Sequence, residues 1–147
     1  FTAVIDDAAE DFARQMIWVR TSEGDARRQL THFAQAYADF MSDPFVRAVF
    51  RLVMAERPRF QQVARRFFDK GRSTFGASLI GILVELAKSG ALRPIEHPSW
   101  AAGHLMGMIE HPVFFVPMVT GEEIQARRSN AEIVEDAVET FLARHGA

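Results

Sequence analysis

Apolar residues recur at helical spacing along nearly the whole chain, and no stretch alternates in the manner of a β-strand. Glycine and proline divide this pattern into six amphipathic segments, with no internal repeat. The predicted apolar stripes span residues 4–19, 30–41, 44–53, 58–88, 98–108 and 133–142. The sequence therefore predicts an all-α fold, a six-helix bundle forming one domain over residues 1–147.

Residues at the ends of these segments have the chemistry of helix termini. Asp43 and Pro44 suit an N-cap followed by a first helical residue. Ser129 and Glu132 have capping-box spacing, and Gly90 follows a basic last turn as a C-terminal glycine does. We expect the segment 112–121, with two prolines, to interrupt the helix that Pro98 begins.

Composition excludes several classes of protein. The 147 residues include no cysteine, which fits a reducing cytoplasm and excludes disulfides and thiolate sites. No apolar run approaches the roughly 20 residues of a membrane span. The net charge is −2. We interpret the 15 arginines and 2 lysines as scattered among acidic residues, with no basic patch. The chain as given is therefore not expected to be a nucleic-acid-binding module.

The motifs that could carry catalysis or bind a metal are incomplete. Residues 71–78 have the glycine spacing of a phosphate-binding loop, but Ala77 replaces its lysine and the surrounding pattern is helical. Along a helix, the spacing of His97, His104 and His111 corresponds to about 10.5 Å per step, too far for two ligands of one metal ion. There is no HExxH or GxSxG motif. We expect no metal, no cofactor and no enzymatic activity.

Aromatic and methionine side chains are unusually abundant on the predicted inner faces. Phe, with 13 copies, outnumbers Leu, although helical cores usually rely on branched aliphatic residues. The predicted lining of a ligand cavity is Phe12, Met16, Phe33, Tyr37, Phe50, Met54, Phe67, Phe75, Trp100, His104 and Met108. Tyr37 and His104 would supply its polar groups. For each residue alone, ordinary core packing remains the alternative.

The last two segments, residues 96–147, carry more apolar surface than one side of a bundle covers. Small residues after Trp100 permit close helix contact, and a dense apolar patch follows them. The residues predicted to form a homodimer interface are Ala102, Gly103, Gly107, Phe114, Phe115, Val134, Val138 and Phe141.

Four stretches resemble the C-terminal regulatory domain of TetR/AcrR-family transcriptional regulators, and most closely the AefR-like group. They are residues 1–5, the segment MAERPRF at 54–60, the segment GALR at 90–93 and the segment VETFL at 138–142. The resemblance implies dimerisation through the last two helices and a small apolar or aromatic effector among the earlier ones. It also implies that DNA is bound only by an N-terminal helix-turn-helix head, which this sequence lacks.

The leading hypothesis is therefore the effector-binding and dimerisation domain of a repressor that releases DNA when the effector binds. The alternative is a free-standing helical carrier or protein-interaction module with no DNA partner.

Overall fold

A computed structural model describes residues 25–121 and 128–147, together with Ala3, Asp6, Asp7, Glu10 and Arg14. The described residues form five helices and no strand, apart from an isolated bridge between Leu92 and Gly146. Helix α1 spans Ala26–Ser42, and α2 spans Pro44–Glu56. Helix α3 consists of three consecutive segments, Gln61–Gly71, Arg72–Gly76 and Ala77–Lys88. Helix α4 consists of Pro98–Glu110, His111–Phe115 and Val116–Thr120, and α5 spans Asn130–His145. The all-α prediction is confirmed. Most residues of the sixth helix, predicted at 4–19, lie outside the described residues, and the ones described there, Asp6, Asp7, Glu10 and Arg14, are helical.

The predicted helix ends form as their chemistry requires. The Asp43 carboxylate accepts from the backbone N–H groups of Phe45 and Val46, at 2.9 and 3.1 Å. Ser129 and Glu132 form the reciprocal capping box at the start of α5. Gly90, with φ of +82°, takes the left-handed conformation just beyond the end of α3.

Two predicted boundaries differ from the structure. The helix expected to start at Pro58 starts at Gln61, because residues 57–59 form a turn in which the Phe60 N–H bonds to the Glu56 carbonyl. The interruption predicted for 112–121 is wrong, since α4 continues to Thr120. A π-helical turn at His111–Phe115 carries Pro112, and its wider ring relieves the clash that a proline makes with the preceding turn.

The segment that resembles a phosphate-binding loop lies inside α3. A second π-helical turn occupies Arg72–Gly76 within it, which confirms the helical interpretation. A Cβ added at Gly71 would meet no atom within 4 Å, and one at Gly76 would meet only Arg72. These glycines therefore do not mediate a close contact with a neighbouring helix.

Helix α1 lies at the centre of the fold and contacts α2, α3, α4 and α5. The fully buried large side chains of the main core are Leu30, Phe33, Leu79, Leu83, Leu92, Leu105, Ile109, Val134 and Val138. A smaller cluster, formed by Val49, Val53 and Phe67, joins α2 to α3. Within the part of the chain that the structure describes, no helix is both long and apolar enough to cross a membrane.

Candidate functional site

Four aromatic rings meet where α1 crosses the π-helical turn of α3. Phe33, Tyr37 and Phe40 lie on one face of α1 because they are spaced four and three residues apart. Phe75 comes from the π-helical turn, and its centroid lies 6.1, 4.9 and 5.4 Å from those three rings, respectively. All four side chains are buried, so the described rings pack directly against one another. We call this group the aromatic interior.

The aromatic interior has one polar connection to α4. The Tyr37 hydroxyl donates a hydrogen bond to Oε1 of Glu110, the last residue before the π-helical turn of α4. Burial raises the pKa of Tyr37, and the neighbouring Glu110 carboxylate raises it further. The hydroxyl therefore stays protonated and remains a donor. Tyr37 was predicted as a polar group of the site; Glu110 was missed, although it follows the buried Ile109 directly.

A second aromatic group joins α2, α3 and α4. The Phe50 centroid lies 4.8 Å from that of Phe67 and 4.8 Å from that of Phe114. The Arg47 guanidinium donates to the Val113 carbonyl in the same π-helical turn. Phe114, predicted as a dimer contact, is thus half-buried against its own chain.

The side of α4 that faces away from these two aromatic groups is exposed to solvent. It comprises Trp100, Gly103, His104, Gly107, His111, Phe115 and Val119, all exposed and following one another at helical spacing. We call this surface the α4 outer face. A Cβ added at Gly103 or Gly107 would meet no atom within 4 Å. The ring of His97 stacks on Trp100 with a centroid distance of 4.0 Å.

Two comparisons with known proteins bear on this arrangement. Residues 28–147 match the family model described as AefR-like transcriptional repressor, C-terminal domain. The chain belongs to this family. The solved structure of a TetR-family transcriptional regulator from Mesorhizobium loti MAFF303099 has the same fold, with a TM-score of 0.75 and 23% identity over 99% of this chain and 71% of that one. No curated protein matches the chain.

The AefR-like assignment confirms the predicted resemblance and makes this chain a domain of a transcriptional regulator. The family is one of transcriptional-regulator domains. Among the described residues, no group of three His, Asp or Glu side chains could hold a metal ion.

Three residues predicted to line the interior of this AefR-like domain lie on its surface. Met54 is 51% exposed and Trp100 is 63% exposed, and His104 is exposed as well. The predicted inward orientation is wrong because neighbouring positions take the buried stripe, Val53 on α2 and Ala101 and Leu105 on α4. Met108 is half-buried against the core, whereas Phe12 and Met16 lie outside the described residues.

Four residues predicted at the dimer interface have no exposed area to offer a partner. Ala102, Val134, Val138 and Phe141 are buried in the core of this chain. The apolar stripe of α5 is covered because it packs against α1. Gly103, Gly107 and Phe115 are the predicted interface residues that do lie on an exposed surface, the α4 outer face.

An open, shallow groove of about 720 Å³ on the surface of α3 was not predicted at all. It is lined by Gln61, Gln62, Arg65, Arg66, Asp69, Lys70 and Ser73. The signal for it was present in the sequence as a cluster of basic residues between Arg57 and Arg72.

Proposed function

We propose that this AefR-like domain dimerises through the α4 outer face and binds a small apolar or aromatic effector next to its aromatic interior. In the regulator that contains it, effector binding releases DNA from a helix-turn-helix head. The observation that carries the proposal is that one helix presents an open apolar surface on one side and contacts the aromatic interior on the other.

Dimerisation is supported by the composition of the α4 outer face. Trp100 is 63% exposed, Phe115 54% and Val119 68%, which is costly for a surface that stays in water. Between them, Gly103 and Gly107 leave the backbone accessible to a partner helix. A second copy related by a twofold axis presents the same surface, so the face is complementary to itself.

Communication with an effector is supported by the bond between Tyr37 and Glu110. Glu110 lies on the inner side of α4, and Gly107 and His111 lie on its exposed side less than one turn away. A ligand that competes for the Tyr37 hydroxyl removes a contact that positions α4 against α1. Coupling of this kind requires only a differential affinity for two arrangements of α4, typically about 1–3 kcal/mol.

The effector site is tested by measuring melting temperatures with a panel of small aromatic compounds. A compound at a hundred times its dissociation constant stabilises the fold by about 2.7 kcal/mol. Phe75→Leu, in the aromatic interior, should abolish the shift. Phe68→Leu, on the same helix but with its ring 60% exposed, is the matched control and should retain it. Equal loss in both variants, or no compound that binds, would contradict the proposed site.

The alternative of a free-standing carrier with no DNA partner is less well supported, because the family that matches residues 28–147 is one of transcriptional repressors.

A further inference from the structure

The positive charge of the chain is concentrated in one short segment. Residues 57–72 contain six basic side chains and one acidic side chain, a net charge of +5 in a chain whose total is −2, so the remaining residues carry −7. The basic residues are Arg57, Arg59, Arg65, Arg66, Lys70 and Arg72. The expectation that arginine is scattered among acids is therefore wrong for this segment.

Three of these six basic residues, Arg65, Arg66 and Lys70, form ion pairs that lie at the surface. The side chains of Arg65 and Arg66 are 74% and 61% exposed. Arg65 pairs with Asp69 at 3.2 Å, and Asp6 approaches Lys70 at 2.8 Å and Arg66 at 3.9 Å. The hydrogen bond from Lys70 holds the pKa of Asp6 below its ordinary value. Exposed pairs of this kind are weak, so a polyanion can displace them.

The remaining arginines of the segment add further surplus charge. Arg57, Arg59 and Arg72 are exposed and have no ion pair with any residue that the structure describes. Arg59 lies over the ring of Phe60, 5.7 Å from its centroid.

Four of the six basic residues, Arg57, Arg65, Arg66 and Lys70, line two adjoining open hollows. The groove of about 720 Å³ along α3 meets a second hollow of about 580 Å³ at the turn before that helix, and Gln61 and Arg65 line both. Gln62 adds neutral amide donors, whereas the Ser73 hydroxyl already donates to the Lys70 carbonyl at 3.0 Å. Guanidinium, amide and hydroxyl donors are the groups that proteins use to contact phosphate oxygens.

We infer that this groove binds the sugar–phosphate backbone of duplex DNA, without reading its sequence. From residue 61 to residue 72 the helix rises about 16 Å, the length of about five base-pair steps. The regulator would thus contact DNA through this domain as well as through the helix-turn-helix head, which goes beyond the function proposed above.

An anionic membrane is a poorer match for the same charges. A helix that lies in a membrane interface inserts an apolar face opposite its basic face. On α3, Phe67, Phe75 and Leu79 are buried in the core, which leaves Phe68 as the exposed large apolar side chain of the helix. DNA requires no such face.

The test is a titration of a fluorescent 20-base-pair duplex of arbitrary sequence with the 147-residue chain. At 50 mM salt we expect measurable binding, which weakens by roughly 10²-fold at 200 mM if about four to five phosphates are neutralised. The triple variant Arg57→Gln, Arg65→Gln, Arg66→Gln, in which each changed residue lines the groove, should bind at least tenfold more weakly. The matched control is Arg93→Gln, Arg128→Gln, Arg144→Gln, which removes three exposed arginines elsewhere and should change affinity less than twofold.

Thermal melting of both triple variants establishes that each is folded. The absence of DNA binding at 50 mM salt would overturn the inference, as would equal weakening in the two variants. Groove-dependent binding to phosphatidylserine vesicles that is tighter than binding to DNA would also overturn it, and would assign the groove to a membrane surface.

Discussion

The aromatic interior and the α4 outer face are built from similar residue types and end in opposite environments. In the interior, Phe33 is fully buried and Phe75 is 2% exposed, because α1 and α3 supply rings to each other. On the outer face, Trp100 and Phe115 are each more than half exposed, because no described helix of this chain covers that side of α4. The difference shows that an aromatic stripe alone does not specify whether a helix of its own chain covers it.

Truncation of one aromatic residue in each region should separate the two most strongly. Phe33→Ala removes a fully buried ring and is expected to lower the free energy of unfolding by about 3–5 kcal/mol. Trp100→Ala should change the unfolding of the monomer by less than about 0.5 kcal/mol, because most of its ring is exposed.

The same Trp100→Ala variant should weaken self-association by about 2 kcal/mol or more if Trp100 anchors the interface. Urea unfolding and sedimentation at several protein concentrations measure the two quantities. Similar unfolding costs for the two substitutions would remove the distinction between the regions.

The hydrogen bond between Tyr37 of α1 and Glu110 of α4 should have an intermediate effect. Tyr37→Phe leaves the half-buried Glu110 carboxylate without this donor and is expected to cost about 1–3 kcal/mol of unfolding free energy. Combined with Glu110→Leu, it should show a coupling energy of about 0.5 kcal/mol or more in a double-mutant cycle. Strictly additive effects would mean that the bond contributes nothing to holding α4.

The end of α5 should give the smallest effect, visible as a pH dependence. Burial lowers the pKa of His145, and the positive charges of Arg144, His104 and Arg93 lower it further. The folded state therefore releases the His145 proton more readily than the unfolded chain does. The contribution of His145 to the stability of the fold is complete above the pKa that His145 has in the unfolded chain, and it is lost as the pH falls.

Acidification from pH 7.5 to 5.5 should therefore lower the melting temperature of the native protein more than that of His145→Gln. Identical pH dependence in the two proteins would show that His145 is not responsible.

The sequence predicts the helices better than it predicts their faces. Caps at Asp43 and Ser129 are local hydrogen-bonding motifs, so they are readable without the fold. Continuation of α4 past Pro112 was not readable, because it depends on a π-helical turn that the local pattern does not reveal.

Assigning side chains to the interior or the surface fails where both sides of a helix are apolar. On α4, Trp100 and Ala101 are adjacent apolar residues, and only the position of α1 and α5 decides that Ala101 is buried. Similarly, Val134 and Val138 form an apolar stripe that fits either a partner or α1, and it packs against α1. Glu110 was missed because its hydrogen bond to Tyr37 joins residues that are distant in sequence. The α3 groove was missed because its positive charge is evident only when the charges of residues 57–72 are summed.

The central claim, that the α4 outer face holds the dimer together, is tested most directly by light scattering on two glycine variants. Gly107→Arg places a charged side chain on this face, and Gly81→Arg places the same side chain on the exposed surface of α3. Neither new Cβ would meet an atom of its own chain within 4 Å, so both variants should fold. At micromolar concentration we expect the native chain and Gly81→Arg to have twice the 16.6 kDa chain mass, and Gly107→Arg to have the monomer mass. A monomeric native chain, or a Gly107→Arg variant that remains a dimer, would contradict the account.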